Sequence, residues 1–422
     1  MPAWMPVYYG EDALEIVSGS GRHVTDAEGR TYLDFFGGVL TTMVGYDIAE
    51  ISDAVRAQID TGVAHTSTLY LIRQQVELAE KIARLSGIPD ARVFFTNSGT
   101  EANESALLFA TNARRSNQIL AVKNGYHGRT FATMAVTGHR SWSSSSLSPL
   151  TVHWLASADR LRGRMAGMSG DDLVEAAVDD LREVLATVSA GDVAGMIAEP
   201  VQGVGGFVSG PDGLLGAYRK VLAEHGILLI ADEVQTGWGR TGDHFWGHQA
   251  HGVTPDLITF AKGIGNGFAL GGVVGRAEIM NAVPAISFST FGGNPVSAAA
   301  GNAVLDYVLS HDLQGNAKRV GSILLNGLQP LLGYGILADV RGRGLMIGLE
   351  FVRTGTTEPD PAVTARVFDL CRANGLLVGK GGLYGNVIRI GPPLTLTEDE
   401  ARTGLAVLTE AIATADAESR VG

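Results

Sequence analysis

The chain has 422 residues, 18% of them charged and 45% hydrophobic, with a formal net charge of -12, a pI near 5.3 and a mean hydropathy of +0.14. That length suits two or three lobes around one catalytic unit, and the apolar balance points to extensive subunit burial. Lys and Arg are scattered without a basic run, which argues against nucleic acid or an anionic membrane as partner; the single cysteine, Cys371, rules out an intrachain disulfide or a thiolate metal cluster and fits a reducing, cytoplasmic setting.

The amino terminus, MPAWMPVYYGEDALE, has no charged segment followed by an apolar one, and nowhere do about 18 apolar residues run uninterrupted. Neither export nor a membrane span is expected. Residues 22 to 34, RHVTDAEGRTYLD, read as a hairpin with its turn at Asp26 to Gly29. From Leu69, apolar residues at Leu69, Ile72, Val76, Ala79 and Ile82 keep helical spacing and stop at Gly87 before Pro89, which predicts one amphipathic helix.

Short apolar runs then alternate with helical segments: ARVFFTN (91 to 97), a helix from about Thr100 to Arg115, QILAVKN (118 to 124) and GMIAEP (195 to 200). A helix through Tyr218, Val221 and Leu222 ends at Gly226, and ILLIADEV (227 to 234), LITFAKG (257 to 263) and GGVVG (271 to 275) follow. Wholly apolar strands separated by helices suit a mostly parallel sheet covered on both faces, so residues 56 to 305 read as a large α/β domain. Residues 306 to 422, with LMIGLEF and NVIRIGPP, read as a smaller α+β domain that the amino-terminal segment 1 to 55 joins. SWSSSSLS (141 to 148) is a low-complexity tract and 163 to 170 a surface loop. The 56 glycines predict many tight turns around a ligand.

In such a sheet ligands sit beyond the carboxyl ends of the strands, and the unusual polar residues fall there. ILLIA runs into Asp232, which alone reads equally well as a turn or capping aspartate. LITFA delivers Lys262, followed by a glycine-rich run from Gly263 to Gly267; a lysine in that place is an amine nucleophile with a lowered pKa if buried, or a side chain reaching solvent if not. Ser98, Gly99 and Thr100 open a helix whose free N–H groups would suit a phosphate, although an ordinary N-cap looks the same. Tyr126, beside His127 at a strand end, would stack on a flat heterocycle or fill core. Thr290 in FSTFGGNP would be a further candidate donor to a phosphate, and Arg389 in NVIRIGPPLT would grip a carboxylate or make a structural ion pair.

Taken in order, DAEGRTYLDFFGG, NSGTEANE, YHGRT, EPVQG, ADEVQTGWGRTG, FAKGIGNG, TFGGNP, DVRGRGLMIGLE and RIGPPLT resemble the class III aminotransferases dependent on pyridoxal 5'-phosphate, over nearly the whole chain. The resemblance implies fold type I of such transferases and a ping-pong exchange between an amine donor and a 2-oxo acid. It implies that Lys262 forms the Schiff base and Asp232 pairs with the ring nitrogen. Gly99 and Thr100, beside Ser98, would hold the phosphate, with Thr290 reaching it from the neighbouring subunit of a homodimer or a tetramer of dimers. Tyr126 and Val234 would cover the two ring faces, Gln235 would contact the phenolic oxygen, and Glu199 and His127 would support the ring.

Within the class, HTSTLY, ADEVQTGWGRTGDHFWG, AKGIGNGF and TFGGNP resemble mitochondrial-type alanine:glyoxylate aminotransferases, which implies a small acceptor such as pyruvate or glyoxylate. Arg389 would bind its carboxylate and Val39 would narrow the space over the cofactor. The 4-aminobutyrate aminotransferases carry Glu after EPVQG where this chain has Val204, which speaks against 2-oxoglutarate as acceptor. A racemase, a 2,1-aminomutase or a phospho-lyase would keep Lys262 and Asp232.

Overall fold

The computed structural model describes Met5 and residues 7–420; the remaining amino-terminal residues weighed above for an export signal lie outside the described residues. A seven-stranded sheet occupies the centre, in spatial order Ala91–Thr96, Gly271–Arg276, Leu257–Phe260, Leu228–Asp232, Gly195–Ala198, Gln118–Val122 and Thr151–Leu155. The five strands from Leu257–Phe260 to Thr151–Leu155 are parallel, and Gly271–Arg276 runs antiparallel to both its neighbours. Leu257–Phe260 and Gly195–Ala198 are buried at every position, because helices cover both faces and no side of those strands meets water.

Two further sheets flank it. Ile16–Ser20, His23–Asp26 and Thr31–Asp34 form the expected hairpin plus one more strand, and Leu376–Leu377 from the far end of the chain pairs parallel with Thr31–Asp34. Leu337–Arg343, Met346–Phe351, Val387–Ile390 and Gly379–Gly381 make an antiparallel sheet. The helix Pro295–Ser310 runs unbroken through position 305. Among the described residues no helix is long and apolar enough to cross a membrane.

Two expectations need correction. The helix expected from Leu69 begins at Arg73, because Ile72 is extended (φ -107°) and turns its own side chain into the core. Leu69, Tyr70 and Leu71 precede it at 76%, 72% and 95% exposure, so their apolar spacing is no helix face of this chain. The stop at Gly87 is as expected: that residue adopts φ 67°, which a helix-ending glycine does without steric cost. The supposed loop 163 to 170 contains a helical turn, Gly163–Met165, that buries Met165, and its last residue opens the helix Gly170–Thr187.

The segment FGGVL bends in an unusual way. Gly37, Gly38, Val39 and Leu40 all have positive φ (53°, 58°, 67° and 62°), a left-handed turn that costs a non-glycine residue roughly 1–2 kcal/mol. Asp34 accepts the N–H groups of Phe36 (2.8 Å) and Gly37 (2.9 Å) ahead of it, and Leu40 plugs into a cluster with Phe36, Val201, Phe207 and Met346. Those contacts hold Val39, 42% exposed, in a strained place of the kind found at binding sites.

Candidate active site

Asp232 is the last residue of its strand, Glu199 follows Ala198, and Lys262 follows Phe260 by two positions, so three chemically active side chains meet at the carboxyl ends of neighbouring inner strands. Asp232 is 3% exposed and fixed by three donors. Its Oδ2 accepts from Asn103 Nδ2 (2.7 Å) and pairs with His127 Nδ1 (2.7 Å), and its Oδ1 accepts from the Val234 N–H (3.1 Å). Thr259 Oγ1 donates to Asn103 Oδ1 (2.6 Å), and Asn103 also donates to the His127 carbonyl (2.8 Å), so both donors and the oxygen of the buried amide are engaged. The adjacent Glu233 faces away from these groups and closes a loop, accepting from the N–H groups of Gly247 and His248 and from the His248 ring.

Lys262 sits at φ 51°, a left-handed conformation that a lysine seldom adopts and of the kind found at functional sites. Burial pushes its amine pKa down, while the charges of Asp232 and Glu199 oppose that shift. Burial pushes the Glu199 carboxyl up to about 7, with His127 pulling it down and Asp232 adding to the rise.

These groups face a cavity of about 130 Å³. One wall is the start of the helix Gly99–Arg114, with Ser98 as N-cap accepting the Glu101 N–H at 3.2 Å, then Gly99 and Thr100. A Cβ on Gly99 would lie 3.0 Å from a Val234 methyl, so a larger residue there would push Val234 aside. The rest of the lining is Tyr126, His127, Glu199, Asp232, Val234, Gln235 and Lys262. His127 Nε2 and Gln235 Oε1 are buried without partners. A helix N-terminus, two unpartnered polar atoms and a desolvated amine beside a carboxylate fit a flat heterocycle that carries a phosphate.

Eleven of the thirteen residues singled out from the sequence divide clearly from the other two. Ten line the cavity together, and Arg389 lies next to it. Arg389 is 4% exposed, and its charge acts on the Lys262 amine. Thr290 is exposed and lies outside this lining, as does Val39. Sequence reasoning missed Asn103 and Gly128, which also line it. The signal for Asn103 was a polar residue on the same helix face as Ala106, Leu107 and Ala110, all buried. Arg129 was missed as well: it is an exposed cation whose charge acts on the Tyr126 hydroxyl.

Residues 6–412 match the family model described as aminotransferase class-III. The chain belongs to the class III aminotransferases. It is 43% identical over 393 residues to alanine--glyoxylate aminotransferase 2 homolog 2, mitochondrial, of Arabidopsis thaliana, covering 92% of this chain and 80% of that protein. An alanine/serine racemase of Pyrococcus horikoshii is 34% identical over 404 residues, covering 93% and 84%. Among solved structures, an amine transaminase from an uncultivated Pseudomonas species with PLP bound superposes with a TM-score of 0.91 at 34% identity, covering 98% of each chain. The enzyme is therefore a pyridoxal-phosphate-dependent aminotransferase of fold type I, and its cavity walls suit that cofactor.

Proposed function

We propose that this aminotransferase moves an amino group from an amino acid or amine donor to a small 2-oxo acid, pyruvate or glyoxylate, with Arg389 as the carboxylate clamp. The observation that carries the reading is the state of Arg389. Its Nε and Nη2 donate to the Lys380 carbonyl (3.2 and 3.1 Å) and its Nη1 to the Gly203 carbonyl (3.2 Å). No carboxylate pairs with it among the described residues, and the guanidinium lies over the rings of Phe36 (4.9 Å) and Phe207 (5.7 Å). A buried cation bonded to two carbonyls and the Tyr8 hydroxyl, with no acid paired to it, leaves N–H groups for one substrate carboxylate, gripped in two-pronged fashion.

Roles for the other residues follow. Pyridoxal phosphate, when bound, supplies the electron sink that makes a Cα–H removable as a proton. Lys262 would hold the cofactor through its amine and carry the proton, and Asp232, braced by Asn103 and His127, would face the ring nitrogen. Ser98, Gly99 and Thr100 would take the phosphate, Tyr126 and Val234 the ring faces, and Gln235 and His127 the unpartnered polar contacts. Val39 would narrow the substrate side. A cytoplasmic setting is part of this reading, supported by a lone cysteine, Cys371, whose burial pushes its thiol up to about 12.

A shared active site is also part of it. Leu69, Tyr70, Leu71, Ile286, Phe288 and Phe291 are all more than half exposed. His65 packs on Phe291 with ring centroids 4.7 Å apart, and Gln75 donates to the Gly292 carbonyl at 3.2 Å, so the two segments form one apolar surface around Thr290. A patch of that kind suits a second copy, into whose cavity Thr290 would reach. Light scattering should give the mass of a dimer or tetramer; an active species of 44.2 kDa would contradict it.

The acceptor is tested by steady-state comparison of pyruvate, glyoxylate and 2-oxoglutarate with one fixed donor. A second buried carboxylate needs its own partner, and Val204, 7% exposed, offers none. We expect a higher kcat/KM for the two small acids. Equal or better use of 2-oxoglutarate would sink this acceptor reading and direct attention to Arg129. The likeness to the Pyrococcus enzyme favours racemisation as a second reading, which would release no keto acid.

A further inference from the structure

We propose that Glu199 is a positioning residue: by gripping the Tyr126 turn with one carboxylate oxygen and the Gly203 turn with the other, it sets where Arg389 can hold a substrate carboxylate. The inference rests on the reading of Arg389 as the clamp. Glu199 Oε1 accepts the Tyr126 N–H at 2.9 Å, and Oε2 accepts the Gly203 N–H at 2.8 Å. Tyr126 is a wall of the cofactor cavity. Gly203 is where three parts of the site touch, because its N–H goes to Glu199, its carbonyl receives Arg389 Nη1 at 3.2 Å, and its Cα lies so close to the Gln235 carboxamide that a Cβ would overlap it.

Arg389 has two other supports, the Lys380 carbonyl and the Tyr8 hydroxyl, but the first comes from the strand Gly379–Gly381 beside its own and the second from the amino-terminal segment. Among the described residues, Gly203 is therefore its hydrogen-bond tie to the cofactor side. The turn after Gly203 is pinned from behind as well: the Val204 carbonyl accepts the Gly382 N–H (2.9 Å) and the Gly206 carbonyl accepts Arg341 Nε (2.9 Å). One carboxylate thus holds ring wall and substrate arginine in a single frame. Burial works against a charge there, as the rise of its carboxyl to about 7 records. What a carboxylate adds over a neutral side chain is two acceptor oxygens for two N–H donors; glutamine has one acceptor and would present an N–H group to the other donor.

Displacements of about 1 Å in such a support cost on the order of 10² in rate. The test compares L-alanine with L-alaninamide, which lacks the carboxylate, in single-turnover reactions of the holoenzyme, where slow reactions are still read. The ratio of their second-order rate constants cancels general damage to the site. Glu199→Gln should lower the alanine preference by about 10–10²-fold. Arg389→Ala should remove it, and the double variant should match Arg389→Ala, since the loss at Glu199 acts through the arginine. Glu199→Asp, charged but one methylene too short to bridge both turns, should fall between wild type and Glu199→Gln, which covers the case of a poorly folding glutamine variant.

A Glu199→Gln enzyme that slows both substrates equally, or a double variant whose losses multiply, overturns the positioning role while the clamp stands. An Arg389→Ala enzyme that keeps its alanine preference overturns both.

Discussion

Lys262→Ala should abolish turnover, by at least about 10²–10⁴-fold, the range a positioned acid–base group contributes, before loss of its role as nucleophile is added. Its strand ends two residues earlier, at Phe260, its backbone is left-handed, and it lines the same cavity as Asp232. Burial keeps that amine below the usual lysine range, which favours the neutral, nucleophilic form. Borohydride reduction of the wild-type holoenzyme should fix the cofactor on the peptide that contains Lys262. A label on Lys123 or Lys380 would overturn the assignment. An alanine variant with near-normal turnover would do the same.

Asp232→Asn should keep the fold and much of the cofactor binding yet lose about 10³-fold in rate. That figure follows from the roughly 4 kcal/mol by which an opposite charge at about 4 Å favours a protonated ring at an effective dielectric of about 20, with about 1.4 kcal/mol per factor of ten. The structure adds a second penalty. Oδ2 meets the Asn103 amide and the His127 ring, both at 2.7 Å, and an amide nitrogen placed there would confront a donor. The rotamer that keeps the oxygen toward Asn103 instead turns its NH₂ toward the Val234 N–H, now bonded to Oδ1 at 3.1 Å. Turnover within tenfold of wild type would show that the carboxylate has a structural role alone.

The central sheet was legible because its inner strands are buried on both faces and so appear as mostly apolar runs such as LLIA and GMIA. The Asp232 and Lys262 positions were legible because a charge directly after such a run marks the strand end, where a sheet of this kind places its ligands. Thr151–Leu155 escaped notice as an edge strand whose Thr151 and His153 interrupt the apolar signal. The helix Gly170–Thr187 was overlooked although Leu173, Ala177 and Leu181 carry the right spacing. Leu69 misled for the opposite reason: its spacing is helical, but its side chain is exposed and meets no core.

Within the site, Asn103 was hidden because a polar residue inside a helix normally faces water, and only the fold places Asp232 and Thr259 against it. The tie from Glu199 through Gly203 to Arg389 runs over backbone N–H and carbonyl groups, which no pattern of side chains records. The left-handed turn at Val39 was half visible: two glycines announce it, but Val39 and Leu40 then continue it against their own preference.

The most direct test of amino transfer is a half-reaction: purified holoenzyme mixed with L-alanine and no acceptor. Transfer of the amino group to the enzyme requires one equivalent of pyruvate per active site, and later addition of glyoxylate should release one equivalent of glycine. Formation of D-alanine without pyruvate would contradict the account, since it would show Lys262 returning the proton to the carbon it came from.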